Sequence, residues 1–273
     1  MTLKRDYDED YSRWYIDEET GERYAGVTSI LNVLNKEGVN KAKLKNQAVY
    51  LADNRKRMAE LTKAQYLAEV KNDDVYLDEW RIAREVGTQA HAVLEDLIEN
   101  PFHDTYPIEK NYDDVEGWTG QHPKLWMARA WEELNEQFDV KPLHNETMVF
   151  SDRWGYAGTY DNAWYIDGEL CIVDAKTNKN GPRASVGLQN MAYAMAEKMY
   201  LPDGTVADNV AFERSRVFWV RPEGWNLYEL RFDNDLWIDF RAMLRAYQHV
   251  KLREKRVIEG ALVEDGLTFR RWF

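Results

Sequence analysis

Two aspartates and a lysine in one short stretch, Gly155 to Lys176, are the residues of this 273-residue chain whose types and spacing best suit chemistry. Asp167-Gly168 lies there between two apolar, β-branched and aromatic runs, and such a dipeptide supplies the positive φ angles of a two-residue hairpin loop. The spacing predicts a β-hairpin in which Ile166 faces Glu169. Asp161 then falls directly opposite Asp174, and Thr159 opposite Lys176. Opposed side chains on antiparallel strands are about 4.5–5.5 Å apart at Cβ, where like charges repel. Ala163, Trp164, Leu170, Ile172 and Val173 make the flanks apolar on both faces, the pattern of an internal strand pair in which bare charge is costly. A divalent cation held by the two aspartates, with Lys176 beside it, resolves that repulsion. The alternative is a surface hairpin whose aspartates splay into water.

The elements around the hairpin follow from periodicity and punctuation. Leu143 to Phe150 alternates toward a strand with Glu146 at its start, so a three-strand meander brings Glu146, Asp161, Asp174 and Lys176 together. Upstream, Arg13 to Tyr24 reads as a short hairpin leading into a short helix through Leu31, Val33 and Leu34. From Lys41 to about Asn100 the pattern is helical in at least three pieces, with breaks near Leu61-Thr62 and Asn72 to Asp74. The last piece carries Ile82, Val86, Ala90, Val93 and Leu97 at helical spacing, with His91 beside that stripe. Gly87 sits mid-helix, where glycine costs about 1 kcal/mol relative to alanine and often marks close approach of another backbone. On its own, His91 also reads as a hydrogen-bonded, partly buried histidine. Phe102 to Glu116 is a polar loop, and Pro123 to Phe138 a second amphipathic helix.

Beyond Lys176 a polar loop holds Lys179 and Arg183, and a helix starts near a Ser185 cap with Gln189 and Tyr193 on one face. Ala211 to Val220 and Trp225 to Phe232 read as another hairpin. A long helix from about Asp233 to Ile258 and a polar tail close the chain. There is no repeat or Gly/Ser linker, so residues 1–273 are read as one domain. Its parts are a hairpin and helical preface over 1–86, a core over 87–232 and a C-terminal helix and tail over 233–273.

Composition narrows the function classes. The net charge is −12, the wrong sign for a protein that coats nucleic acid, so any basic footprint has to be local. One such patch runs from Gly38 to Arg57, where Lys41, Lys43, Lys45, Arg55, Lys56 and Arg57 face Asp53 alone; a solvated helix face is its plainer reading. The single cysteine, Cys171, excludes an internal disulfide and a Cys-ligated zinc or iron–sulfur site. No apolar run is long enough to span a bilayer and the amino terminus has no signal-peptide core, so the expected location is the cytoplasm.

Four short motifs occur in a telling order: G-T-Q-A-H at Gly87 to His91, G-T-Y-D at Gly158 to Asp161, D-A-K at Asp174 to Lys176 and Q-N-M-A-Y at Gln189 to Tyr193. Each alone is nearly uninformative. Together they resemble the RecB-like branch of the PD-(D/E)XK nuclease superfamily, nearest to compact phage-type exonucleases and CRISPR-associated RecB-like exonucleases, over a little over half the chain. The resemblance implies an α/β fold with a restriction-endonuclease-like core: a central mixed β-sheet flanked by helices, here with a helical N-terminal region. It implies a DNA exonuclease acting at single- or double-stranded ends in phage replication or recombination, in the host cell cytoplasm, with a recombination or single-strand-binding protein as a further partner.

The implied roles go residue by residue. His91, Asp161, Asp174 and the Ala175 backbone carbonyl would bind Mg²⁺ or Mn²⁺, the imidazole favouring Mn²⁺. Lys176 would orient or deprotonate the attacking water and steady charge on the phosphate. Gln189 and Tyr193 would hold the DNA backbone or the lysine, Glu146 would support the site through water or a second metal, and Lys179, Arg183, Lys41, Lys43 and Lys45 would track the strand. The chain lacks the four cysteines with which the CRISPR-associated relatives hold an iron–sulfur cluster, and it has no Walker A loop for a fused motor. A structure- or sequence-specific endonuclease on the same core, a nuclease-fold protein that binds without cutting, and a hairpin-rich interaction domain are the competing readings.

Overall fold

The computed structural model describes residues 3–8, 12–34, 37–72, 78–100 and 123–253. The chain opens with three strands, β1 (Leu3–Tyr7), β2 (Arg13–Asp17) and β3 (Arg23–Gly26), then a single helical turn α1 (Val27–Ile30) continued by a 3₁₀ turn over Leu31–Val33. Four helices follow: α2 (Glu37–Asp53), α3 (Arg55–Ala59), α4 (Lys63–Lys71) and α5 (Asp78–Glu99). The expected breaks are present, and Thr62 caps α4 by a reciprocal arrangement with Gln65. After α6 (Pro123–Gln137) come the long strands β4 (Val140–Ser151), β5 (Tyr156–Ile166) and β6 (Glu169–Lys176). The chain continues with α7 (Ser185–Ala194), short β7 (Lys198–Tyr200) and β8 (Val206–Asp208), the hairpin β9 (Arg214–Arg221) and β10 (Gly224–Leu230), and α8 (Asn234–Gln248) running into a π turn over His249–Arg253.

All ten strands join one mixed sheet that curls on itself, with helices on both faces. Most pairs are antiparallel; β3 with β5 and β6 with β9 are parallel. On one face α5 buries Val86, Ala90, Val93 and Leu94 against Trp126, Met127, Ala130 and Leu134 of α6 and against Trp164, Val173 and Phe218 of the sheet. Each such fully buried large side chain contributes about 1.5–3 kcal/mol, which makes this stripe the anchor of α5. On the other face α1, α7 and α8 cover Tyr156, Tyr160, Ala163 and Ile172.

The central hairpin turns where the sequence places it. Asp167 and Gly168 have φ angles of 52° and 88°, as a two-residue loop of this hand requires. The register from Ile166↔Glu169 to Asn162↔Val173 is the expected one. There the ladder ends, so the expected pairs Asp161 with Asp174 and Thr159 with Lys176 do not form: β5 continues beside β4, while β6 continues in parallel with β9 as far as Lys176↔Trp219. The same edge of β5 is taken up again by β3, at Ala25↔Tyr156 and Gly26↔Ala157. Between these two partners lies a fork spanning residues 158–161 of β5, and Asp161 and Asp174 flank the point where the strands part.

Several expectations need correcting. The first hairpin belongs to the sheet, because β3 pairs with β5. Glu146 lies in the middle of β4, which starts at Val140, and not at a strand start. No side chain caps α7, whose N-cap is Ala184, with Ser185 already helical. The last helix is α-helical to Gln248 and continues as a π turn to Arg253, and its expected end at Ile258 lies outside the described residues. Among the described residues Gly87 meets no backbone from elsewhere; a Cβ there would lie 3.4 Å from Thr177 Oγ1, a side chain just beyond Lys176. The loop expected over residues 102–116 and the tail expected over residues 259–273 lie outside the described residues.

Candidate metal centre

The fork gathers groups from both faces of the sheet. His91, on α5 one turn beyond Gly87, brings Nδ1 to 3.7 Å from Asp161 Oδ2. Asp161 accepts the Ala175 N–H at 3.0 Å, at a residue of β6 that β5 no longer pairs. Lys176 donates to the Ala175 carbonyl at 3.1 Å and places Nζ 2.6 Å from Asp174 Oδ2 and 3.8 Å from Asp161 Oδ2. Glu146 enters from β4, between the pairs Asn145↔Asn162 and Thr147↔Tyr160, hence opposite Asp161. One donor atom each of His91, Glu146 and Asp161 all lie within 4.8 Å of one another, close enough to share a metal ion. Asp174 stands beside this trio and is engaged by Lys176.

Glu146 has φ 42°, a left-handed conformation that costs a non-glycine residue about 1–2 kcal/mol. Sparsely populated backbone of this kind collects at functional sites. In β4 it turns a residue out of the regular ladder next to the fork.

The electrostatics are those of charge held out of water. Burial raises Asp161, against the lowering influence of Lys176 and the Ala175 N–H. Burial likewise raises Asp174, which is 2% exposed, and Asp161 adds to it while Lys176 opposes. Glu146 is exposed as a residue, yet partial withdrawal of its carboxylate from water, then the charges of Asp161 and Glu95, push it up to about 7 against Arg5 and Lys176. Burial would lower Lys176, but Asp174, Asp161 and Glu146 overcome it and hold the ammonium charged. His91 is lowered by burial and by Lys176, which keeps its imidazole neutral and able to ligate.

Tyr193, on α7, is buried against this cluster, and its hydroxyl is driven well above its usual range by burial and by neighbours that include Asp161 and Asp174. Its ring explains Gly158: a Cβ at that position would lie 2.2 Å from Tyr193 Cε1. The glycine of G-T-Y-D and the tyrosine of Q-N-M-A-Y are therefore two halves of one contact. Gln189, one turn earlier, is half-buried. Lys179 and Arg183 are exposed on the loop leading from Lys176 to α7, which Trp219 Nε1 pins by donating to the Asn178 carbonyl at 2.7 Å. Lys41, Lys43 and Lys45 lie on α2. Lys251 pairs with Asp8 at 3.5 Å.

Sequence reasoning missed the polar residues that hold the frame. Buried Asn190 donates to Ser215 Oγ at 3.0 Å and ties α7 to β9; its one signal was an amide inside the apolar run V-G-L-Q-N-M-A-Y. Asn162 donates to the Val173 carbonyl at 3.3 Å at the last rung before the fork. Arg5 and Tyr15, from the first two strands, reach Thr159. No family model matches the chain, and no curated protein matches it in sequence. Among the described residues no helix is long and apolar enough to cross a membrane.

Proposed function

We propose that this chain is a divalent-metal-dependent deoxyribonuclease with a restriction-endonuclease-like core, hydrolysing phosphodiester bonds at DNA ends. One observation carries the reading: at the β5/β6 fork the donor atoms of His91, Glu146 and Asp161 converge within 4.8 Å, with Lys176 Nζ 3.8 Å from the same aspartate.

The donor set fits a small hard cation. Two carboxylates and a nearby backbone carbonyl, that of Ala175, supply oxygen, and one neutral imidazole shifts the preference from Mg²⁺ toward Mn²⁺. Such an ion supplies Lewis-acid polarisation of a phosphoryl oxygen and a more acidic bound water. The side chains do the rest. Asp174 keeps Lys176 charged and aimed into the fork, so the ammonium serves to orient water and to stabilise negative charge building on the phosphate. A lysine so held is suited to donating hydrogen bonds. Tyr193 and Gly158 pack without a gap and hold the floor on which Asp161 stands. Lys179 and Arg183, exposed where β6 leads toward α7, offer phosphate contacts that carry no base sequence.

The test is Mn²⁺-dependent nucleotide release from linear DNA, with covalently closed circular DNA as the control for an end requirement. Asp174→Ala and Lys176→Ala should each abolish release. Full activity in either variant overturns the mechanism, and equal digestion of closed circles replaces the exonuclease by an endonuclease.

A further inference from the structure

The curl of the sheet carries the first strand back to the fork. Arg5, on β1, donates through Nη2 to Thr159 Oγ1 at 2.8 Å across 154 residues of sequence, and the Tyr15 hydroxyl lies 3.5 Å from the same oxygen. Thr159 belongs to the stretch of β5 that neither β3 nor β6 pairs. It is two residues from Asp161, so the two side chains share a face of the strand about 7 Å apart. One sugar and its ester oxygens span a comparable distance between successive phosphates.

Charge gives this contact its meaning. Glu146, Asp161 and Asp174 confront a polyanion with three carboxylates, and Lys176 is already drawn to Asp174 at 2.6 Å. Among the described residues Arg5 is hydrogen-bonded to a neutral hydroxyl, not to a carboxylate, at an exposed position. Its charge already acts on Glu146, but the guanidinium is hydrogen-bonded to a hydroxyl and so has N–H groups left for an anion, and its fork matches phosphate geometry.

We propose that Arg5 grips the phosphate adjoining the scissile one, making the first strand part of the substrate site. This deepens the nuclease reading and rests on it. The contact would set the position of the strand relative to Lys176, and truncating or displacing β1 would loosen substrate while leaving His91, Glu146 and Asp161 themselves in place.

A double cycle tests it in the full-length protein. Arg5→Gln and Arg5→Lys are compared with the wild type on oligonucleotides carrying a neutral methylphosphonate at one position at a time around the cleavage point. Affinity is read with Ca²⁺ in place of Mn²⁺, and hydrolysis with Mn²⁺. Losing one charge-assisted phosphate contact corresponds to about tenfold in affinity. The expected result is that Arg5→Gln loses that factor on unmodified DNA, mainly in KM, and that Arg5→Lys recovers part of it; direct Mn²⁺ titration of each variant separates this loss from the influence of the Arg5 charge on Glu146. A methylphosphonate at one phosphate flanking the scissile bond should cost the wild type a similar factor and cost Arg5→Gln nothing further. Equal methylphosphonate penalties in both proteins at every position, or wild-type affinity in Arg5→Gln, overturn the proposal. If binding shows the coupling but no protein hydrolyses DNA, the Arg5 contact stands and the nuclease reading falls; hydrolysis without coupling does the reverse.

Discussion

Strand β6 carries ionic clusters at both ends, and they are built on opposite terms. At its start, Glu169 pairs with Arg214 at 2.9 Å and Arg216 at 3.3 Å, and Glu229 lies 3.7 Å and 3.9 Å from the same two arginines. Acids and bases there are equal in number, and Glu169 and Arg214 have side chains 37% and 46% exposed. At its end, Asp174 is 3% exposed in its side chain, Asp161 and Glu146 stand nearby, and Lys176 is the base within ion-pair distance of both aspartates. Matched charges in water cost little and contribute little. Unmatched charges taken out of water are costly, and a structure that keeps them does so for a ligand or a reaction. Burial with imbalance, not the density of charge, distinguishes the end of this strand proposed to be functional.

The largest expected difference between the two ends is catalytic. Lys176→Ala or Asp174→Ala should lower DNA hydrolysis by roughly a thousandfold or more, whereas Arg214→Ala should leave the rate at the wild-type level; a Mn²⁺-dependent assay on one linear substrate compares all three. Next is the response to metal and pH. Glu146 is pushed up to about 7 in the folded protein, so between its ordinary carboxylate value and that pH the folded state holds a proton the unfolded state releases. Its contribution to stability is complete below the unfolded value and is lost as pH rises through about 7, with Asp161 acting in the same direction. The thermal midpoint of metal-free protein should therefore fall as pH rises through that window, less steeply in Glu146→Gln. Saturating Mn²⁺ should restore it by mass action, and do so more at high pH than at low.

How much of this was legible in sequence depends on range. The Asp167-Gly168 turn and the pairing out to Asn162 and Val173 follow from local turn chemistry and a period of two, and the structure has both. The breaks in the helical region were equally readable, because Thr62 and Asn72 act on adjacent backbone. The fork was not: whether β5 and β6 stay paired depends on β3 and β9 competing for their edges, and those strands are distant in sequence. Short β1, β7 and β8 gave too few residues for a period to register. Glu146 looked like a second-rank ligand because nothing in N-E-T announces a left-handed residue inside a strand. Arg5 was invisible for the same reason as β1, since its partner Thr159 is 154 residues away.

Two substitutions separate the strain of the functional end from its chemistry. Gly158→Ala drives a methyl group into the buried Tyr193 ring, which would lie 2.2 Å away, and overpacking of this kind costs about 1–3 kcal/mol. Chemical denaturation should show that loss, with weaker hydrolysis because Tyr193 shifts against the cluster. Glu146→Gly acts the other way. Removing a left-handed non-glycine residue should stabilise metal-free protein by about 1 kcal/mol while weakening Mn²⁺ binding, a gain in stability set against a loss of affinity. If Glu146→Gly lost stability as well, the residue would be a packing element and not a strained ligand.

The smallest effect belongs at the balanced end, and it is the control for the whole comparison. Side-chain hydrogen bonding from Arg214 lowers Glu169, so the pair adds stability above the unfolded carboxylate value that is lost as pH falls through the folded one. Both groups are solvated, and salt screens such charges over about 8 Å at physiological ionic strength. Glu169→Gln should therefore leave the thermal midpoint near neutral pH within the reproducibility of a scan in physiological salt, with a deficit emerging only at low ionic strength. Arg216, whose side chain is 13% exposed, should be the more sensitive member of the network. A Glu169→Gln protein that lost Mn²⁺ affinity or hydrolysis would mean that the two ends of β6 communicate, and that exposure and balance do not by themselves insulate one charge cluster from the other.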